Sequence, residues 1–385
     1  MSDLKTSEYD FSAIPYNDLV SVAQRTLKYR DIFTVSWLLG RFCNYRCSYC
    51  WPYARSDRKD HRPTELCLKT IDEIKKQARE NNFNSFHFSL SGGEPTFHPG
   101  YLDILQHLAD DVPNCNYTSV HMTSNISRKM KWFEEYCQIV GQFHRASITA
   151  SYHKEFAKPE EFADKLLLCM EHDVQVTINM VLVPEWFDRD WDNAMYFHER
   201  GINVTLKPQS DPTASFVVKG YTDEQLKIMQ NGMPQRAYTH EIQKEKGVKI
   251  VRPKPAKSLW NMDVIHGDDK NVPPIMQVEF EDSKGKKWYM DQAERFNAFN
   301  FNKFKGWECT SGFKGIIIRE PDGSIKRSYS CADEPLGYIE SGFKLFDKPM
   351  PCISESCVSS ADSKIPKRAP GTTIPIYPGD TSYKK

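Results

Sequence analysis

The residues in this sequence best suited to chemistry are three cysteines spaced CxxxCxxC in the run CNYRCSYC: Cys43, Cys47 and Cys50. They follow directly on a β-branched and aromatic run, FTVSWLLG over 33–40, that reads as a strand. A loop leaving the C-terminal end of a strand can wrap its thiolates around one cube of iron and sulfide, since cysteine thiolates are the usual ligands of such clusters. Three ligands for four irons leave one iron open, and an open position is where catalytic metal sites take a substrate or cofactor. The competing reading is a structural zinc, which needs four closed ligands and has only His61 nearby in the sequence as a fourth. Four more cysteines, Cys309, Cys331, Cys352 and Cys357, gather around the stretch GIIIREPDGSIKRSYSC. Its Asp322-Gly323 is a turn signal between two strand-like runs.

The elements that must hold the first loop alternate. After the strand at 33–40, a helix is expected over 64–81, started by Pro63 and Thr64, with Leu66, Ile71, Ile74 and Ala78 near one face. Strands follow at 86–92, 118–125, 145–153, 174–183 and 202–209, with helices at 99–110, 127–140, 159–172 and 188–200 between them. Six strands alternating with five helices imply a parallel sheet with right-handed crossovers, whose chemistry sits at the strand C-terminal ends. After Ser210 the rhythm breaks. The residues that follow are rich in Lys, Asp, Asn and aromatics, and stretches such as VRPKPAK and NVPP argue for irregular structure. The Pro, Gly and Lys-rich tail is expected to be poorly ordered.

Composition narrows the class. With 385 residues, 39% of them hydrophobic, the chain can bury a full core and has room for a barrel-sized domain plus an appendage. Lys+Arg and Asp+Glu both total 51, so no global field draws the protein to nucleic acid or a membrane surface. The N-terminus lacks a secretory signal and no apolar run is long enough to span a bilayer, which points to a cytoplasmic protein. In that compartment thiols stay reduced, and clustered cysteines read as metal ligands. Cys67, Cys115, Cys137 and Cys169 lack such spacing and read as buried small hydrophobes.

The CxxxCxxC after the first strand of a β/α repeat, with Tyr49 before the third cysteine, resembles the signature of the radical S-adenosylmethionine (radical SAM) superfamily. The resemblance implies a partial (β/α)6 TIM-like barrel and a 4Fe-4S cluster on Cys43, Cys47 and Cys50. Its open iron chelates S-adenosylmethionine, and the cofactor is cleaved reductively to a 5'-deoxyadenosyl radical that abstracts hydrogen from a substrate. Gly92, Gly93, Glu94 and Pro95 resemble the family's GGEP motif, which lines the methionyl amino group. Two glycines let backbone approach a ligand closely, and Glu94 can accept from an ammonium. Ser124 and Asn125 end the third strand, where the family places polar residues toward the cofactor; a helix cap before Arg128 is the plainer reading. Ser147, Thr149 and Ser151 share one face of the fourth strand by their period of two. If that face is the barrel interior, Ser151 is a candidate cofactor contact, and His153, Asn179, Lys207 and Gln209 are candidate substrate contacts.

The C-terminal frame resembles the auxiliary-cluster extensions of these enzymes, the SPASM and twitch domains. Four thiolates can fully ligate one additional 4Fe-4S cluster, although a structural zinc would use the same four. The terminal CxxxxC with nothing after it fits a single-cluster, twitch-like module better than a full SPASM domain. The organisation expected is an N-terminal extension over 1–32, a barrel over 33–210, an insertion of unknown role over 211–306, the auxiliary module over 307–357 and the tail over 358–385.

The short N-terminal extension and the single auxiliary cluster point to a small-molecule substrate, such as a sugar or aminocyclitol that is dehydrogenated or epimerised. The alternatives are maturation of a ribosomal peptide or protein side chain, with the insertion supplying a groove, and a non-catalytic metal-binding scaffold. Radical chemistry implies an electron donor such as flavodoxin or ferredoxin. The residue that would exchange hydrogen with the substrate is not legible in the sequence.

Overall fold

The computed structural model describes residues 13–51, 55–212, 216–234, 278–290 and 301–381. The chain enters through β1 (Leu19–Gln24) and the short α1 (Arg25–Tyr29), then runs β2 (Ile32–Leu38), α2 (Thr64–Glu80), β3 (Ser85–Ser91), α3 (Tyr101–Asp110) and β4 (Tyr117–Ser124). It continues through α4 (Met130–Val140), β5 (Arg145–Tyr152), α5 (Pro159–Glu171), β6 (Gln175–Leu182), α6 (Phe187–Glu199) and β7 (Asn203–Pro208). β2 to β7 pair in parallel in sequence order, with a helix over each crossover. The expected β/α alternation is therefore present, as a mixed α/β core. Among the described residues, β7 is an edge of this sheet.

Strands buried on both faces read as continuous apolar runs, but these alternate, and the reason is a polar interior. Phe33, Val35 and Trp37 of β2, Phe86, Phe88 and Leu90 of β3, and Val120 and Met122 of β4 are buried in the main core with Cys67, Ile71, Ile74 and Ala78 of α2. The residues between them face the other way. Thr34, His87 and Ser119 stand on one row of paired positions, and Ser36, Ser89, His121 and Ser147 on the next. All of them line a cavity of about 520 Å³.

The remaining elements are α7 (Asp223–Asn231), β8 (Val278–Asp282), β9 (Lys287–Met290), β10 (Glu308–Cys309), β11 (Gly315–Ile318), β12 (Ser324–Lys326), β13 (Gly337–Tyr338), β14 (Gly342–Phe343), β15 (Met350–Pro351), α8 (Ser360–Ser363) and β16 (Lys367–Arg368). β11 pairs in parallel with β2 and antiparallel with β12, and β13 and β14 follow, so the C-terminal hairpin extends the core sheet. The turn signal at Asp322-Gly323 sits between β11 and β12, with Gly323 at φ +68° and Ser324 N donating to the Asp322 carboxylate at 3.1 Å. A second, antiparallel sheet runs β15-β10-β16-β1-β8-β9. It joins the N-terminal extension, the segment after Ser210 and the tail around Ile14, Leu19, Val22, Val278, Phe280, Phe301 and Phe304.

Two expectations change here. The tail is not loose: Lys367 and Arg368 form β16 between β10 and β1, and Ile376 and Asp380 are buried. Arg368 donates to Asp380 at 2.9 Å and to Glu308 at 2.7 Å, partners far from it in sequence that composition does not reveal. The segment after Ser210 is also not wholly irregular. α7 begins with a capping box, Thr222 Oγ1 accepting from Gln225 N while Thr222 N donates to the Gln225 side chain. That Thr-x-x-Gln signal is visible in the sequence. VRPKPAK and NVPP lie outside the described residues.

Candidate active site

The loop that leaves β2 is held by the chain that leaves β3. Leu39 N donates to Ser91 O at 2.9 Å, Gly93 N to Gly40 O at 2.9 Å and Glu94 N to Phe42 O at 2.6 Å. A Cβ on Gly93 would lie 2.3 Å from the carbonyls of Arg41 and Phe42, and one on Gly92, at φ +146°, 2.3 Å from that of Gly40. What approaches these glycines is thus the protein's own backbone, one to three residues before Cys43.

Glu94 is 1% exposed. Its Oε1 accepts from Ser124 Oγ at 2.8 Å, Thr96 Oγ1 at 2.6 Å and Thr96 N at 3.3 Å, and its Oε2 from Asn125 N at 2.6 Å. Burial pushes its pKa up and these four donors pull it back. Pro95 opens a short turn that Glu94 caps through Thr96. Three of these donors meet Oε1 and one meets Oε2. The carboxylate fixes the end of β4, including Asn125, whose Nδ2 lies 3.8 Å from Cys43 Sγ and donates to Asn44 Oδ1 at 3.0 Å. Asn125 thus meets the cysteine loop, while Ser124 meets Glu94.

The far side of the loop rests on the segment after β5. The Glu155 carboxylate accepts from Ser48 N at 3.0 Å and from its hydroxyl, and Tyr45 stacks on Phe156 at 4.8 Å between ring centres. Tyr49 OH lies 2.9 Å from His153 Nδ1, with the rings stacked at 5.9 Å. Burial lowers His153 to about 4, so its imidazole is neutral at pH 7. Nothing in the sequence points to Glu155 and Phe156, because no spacing connects them to a loop about a hundred residues earlier. Ser151 lies at the end of β5 in register with Asn179. Lys207 is exposed on β7, and Gln209 binds Tyr221 OH through its backbone N–H at 2.7 Å.

The eleven cysteines are free thiols, and Cys67, Cys137 and Cys169 are buried as expected, whereas Cys115 is half-buried beside Arg79. Burial raises the Cys47 thiol to about 12, and negative charge on Cys50 and Cys43 adds to that rise. Alone, such thiols keep their protons; a cationic iron core draws the protons off, because metal binding and thiol deprotonation are linked. Thiols are the donor type that an iron-sulfur cube takes, and this loop carries three of them. His61 packs its ring over Gly40 and against Phe42 and His98. Among the described residues, no three His, Cys, Asp or Glu side chains are disposed to hold a single metal ion.

The C-terminal thiols form a second group. Cys309 ends β10 opposite Met350, and Cys352, just past β15, donates its N–H to Trp307 O at 2.8 Å. Ser311 Oγ lies 3.3 Å from Cys309 Sγ and 3.9 Å from Cys331 Sγ, and Ser328 Oγ 3.1 Å from Cys331 Sγ. Burial raises Cys357 to about 12, with Cys309 and Cys352 adding to it. Ser311 and Ser328 also line the 520 Å³ cavity, so the hydroxyls that touch these thiols reach the interior of the core sheet. There, His87 Nδ1 meets Ser119 Oγ at 2.8 Å and His121 Nδ1 meets Ser147 Oγ at 2.8 Å. Burial lowers these histidines to about 3 and about 4, leaving both neutral.

A family model described as the Radical SAM superfamily matches residues 37–197, which takes in the cysteine loop and the strand ends that hold it. The match spans about two fifths of the chain, and it supports an enzymatic, S-adenosylmethionine-dependent function for that part. Among solved structures it is similar to native anSMEcpe with bound AdoMet and Kp18Cys peptide, at 14% identity over 81% of this chain and 79% of that one, with a TM-score of 0.44. Streptococcus suis SuiB bound to precursor peptide SuiA is similar at 14% identity over 77% of this chain and 59% of that one, with a TM-score of 0.41. No curated protein matches the chain.

Proposed function

We propose that this enzyme holds a 4Fe-4S cluster on Cys43, Cys47 and Cys50 and an auxiliary one on Cys309, Cys331, Cys352 and Cys357, and that it abstracts hydrogen from a small, hydroxyl-rich molecule such as a sugar or aminocyclitol. With S-adenosylmethionine, the first cluster supplies the 5'-deoxyadenosyl radical. This chain's residues supply the frame. Asn125 and Asn44 sit at Cys43, Tyr49 and Ser48 tie the loop to the segment after β5, and Ser151 and Asn179 pair in register near the ends of β5 and β6.

The observation that carries the substrate class is the interior cavity. Its volume of about 520 Å³ matches a small-molecule site, and hydroxyls and neutral imidazoles from successive strands stand in its wall among Ile32, Ile148, Ile316, Arg145, Lys314 and Asp362. The hydroxyls and imidazoles both donate and accept, which suits the hydroxyls of a polyol. A cytoplasmic location with flavodoxin or ferredoxin as electron donor belongs to the same reading.

The test is anaerobic reconstitution with iron and sulfide, metal counting, and dithionite reduction with S-adenosylmethionine. About eight irons per chain and formation of 5'-deoxyadenosine are expected; zinc in place of iron, with no deoxyadenosine, would overturn the reading. A panel of sugars and aminocyclitols should increase deoxyadenosine formation in the wild type and not in a His121→Leu variant. Stimulation by peptides alone would refute the substrate class.

A further inference from the structure

Lys367 is a buried cation without an anion of its own. Its side chain is 1% exposed, its Nζ donates to the carbonyls of Asp362, Ser363 and Ile365 at 2.9, 3.0 and 2.8 Å, and it lies 4.6 Å from the centre of the Phe304 ring. Among the described residues, no carboxylate stands within ion-pair distance of it. Carbonyls and a ring face ease the burial of an ammonium but do not neutralise it, and an unpaired buried charge is costly.

Across the sheet from it stands a thiol. In the antiparallel pairing of β10 with β16, Lys367 is directly opposite Cys309, and directly opposed residues share a face. Another buried cation of this module, Arg327, is 4% exposed and donates to the carbonyls of Ser311, Met350 and Pro351, but it already has a carboxylate in Asp333.

We propose that Lys367 is the counter-cation of the cluster held by Cys309, Cys331, Cys352 and Cys357, and that its ammonium raises that cluster's reduction potential. The proposal rests on the reading of these four thiols as iron-sulfur ligands. An oxidised 4Fe-4S core on four thiolates carries a net double negative charge, and the electron that reduces it adds one more. A fixed positive charge in a low-dielectric surrounding favours the more negative, reduced form. Lys367 is thus a tuning residue that touches no substrate. It makes the auxiliary cluster a better acceptor for an electron arriving from the cavity beside Ser311 and Ser328.

The experiment uses the full chain with Cys43→Ala, Cys47→Ala and Cys50→Ala together, so that only the auxiliary cluster can load. Iron counting comes first: about four irons per chain confirm the ligand reading, and none sinks that reading separately. A dithionite titration followed by electron paramagnetic resonance then compares Lys367→Gln, whose amide still donates to the carbonyls without charge, with Lys367→Arg, which keeps the charge. A shift of the midpoint to more negative potential in Lys367→Gln, with Lys367→Arg close to the parent, is expected. Cluster loss in Lys367→Gln alone would equally show that the charge is needed. An unchanged midpoint in Lys367→Gln, or the same loss of iron in both variants, would overturn the proposal.

Discussion

Replacing Glu94 with alanine tests whether the second strand end builds the first cluster's site by holding the chain rather than by touching the cofactor. The carboxylate is the shared acceptor for Thr96 N, Thr96 Oγ1, Ser124 Oγ and Asn125 N. Glu94→Ala leaves two backbone N–H groups in the core without acceptors, while the two hydroxyls can turn to other oxygens. At roughly 1–3 kcal/mol for each unsatisfied donor, plus the void left behind, the cost is about 3–5 kcal/mol. That lowers the melting temperature by on the order of 10 °C in a domain of this size. Because Asn125 loses the bond that aims its side chain at Asn44 and Cys43, iron on the first cluster should fall as well. Glu94→Gln keeps an oxygen for Asn125 N and turns a donor toward Thr96 N, so it should cost about 1–2 kcal/mol and retain most of the iron. The assay pairs a thermal melt with iron counting in all three proteins. Full iron content and an unchanged melting temperature in Glu94→Ala would refute the reasoning.

Gly93→Ala forces a methyl to within 2.3 Å of two carbonyls next to Cys43; about four irons per chain are expected to remain, all on the auxiliary group, and full loading would contradict it. Burial drops the Lys314 ammonium to about 7, so the unfolded chain holds the extra proton between pH 7 and 10.5, and stability should rise with pH across that window. Lys314→Met should flatten that slope, as read by denaturant titration at several pH values. His121, lowered to about 4 by burial, adds stability above pH 6.5 that is lost as pH falls toward 4, at up to about 1.4 kcal/mol per unit, and His121→Leu should remove that share. Glu155→Ala frees Ser48 and should weaken S-adenosylmethionine-dependent turnover more than it lowers the melting temperature, since Ser48 and Glu155 are exposed.

Local chemistry determined much of this protein. The β/α alternation, the start of α2 at Thr64, the turn at Asp322-Gly323 and the thiol groups follow from hydrophobic period, turn residues and cysteine spacing, each set by neighbours a few positions apart. Periodicity also placed Ser147 and Thr149 on one face. It could not say that this face looks into a cavity rather than onto a helix, because that depends on which strands pair and in what register. Gly92 and Gly93 read as room for a ligand, yet the third dimension fills that room with the carbonyls of Gly40, Arg41 and Phe42. Only the tertiary structure brought Glu155 to Ser48, Lys367 to Cys309 and the tail into the second sheet. These contacts join residues tens to hundreds of positions apart, and nothing local in the sequence encodes such pairings. They form because a buried charge or an unpaired strand edge must find a partner somewhere along the chain.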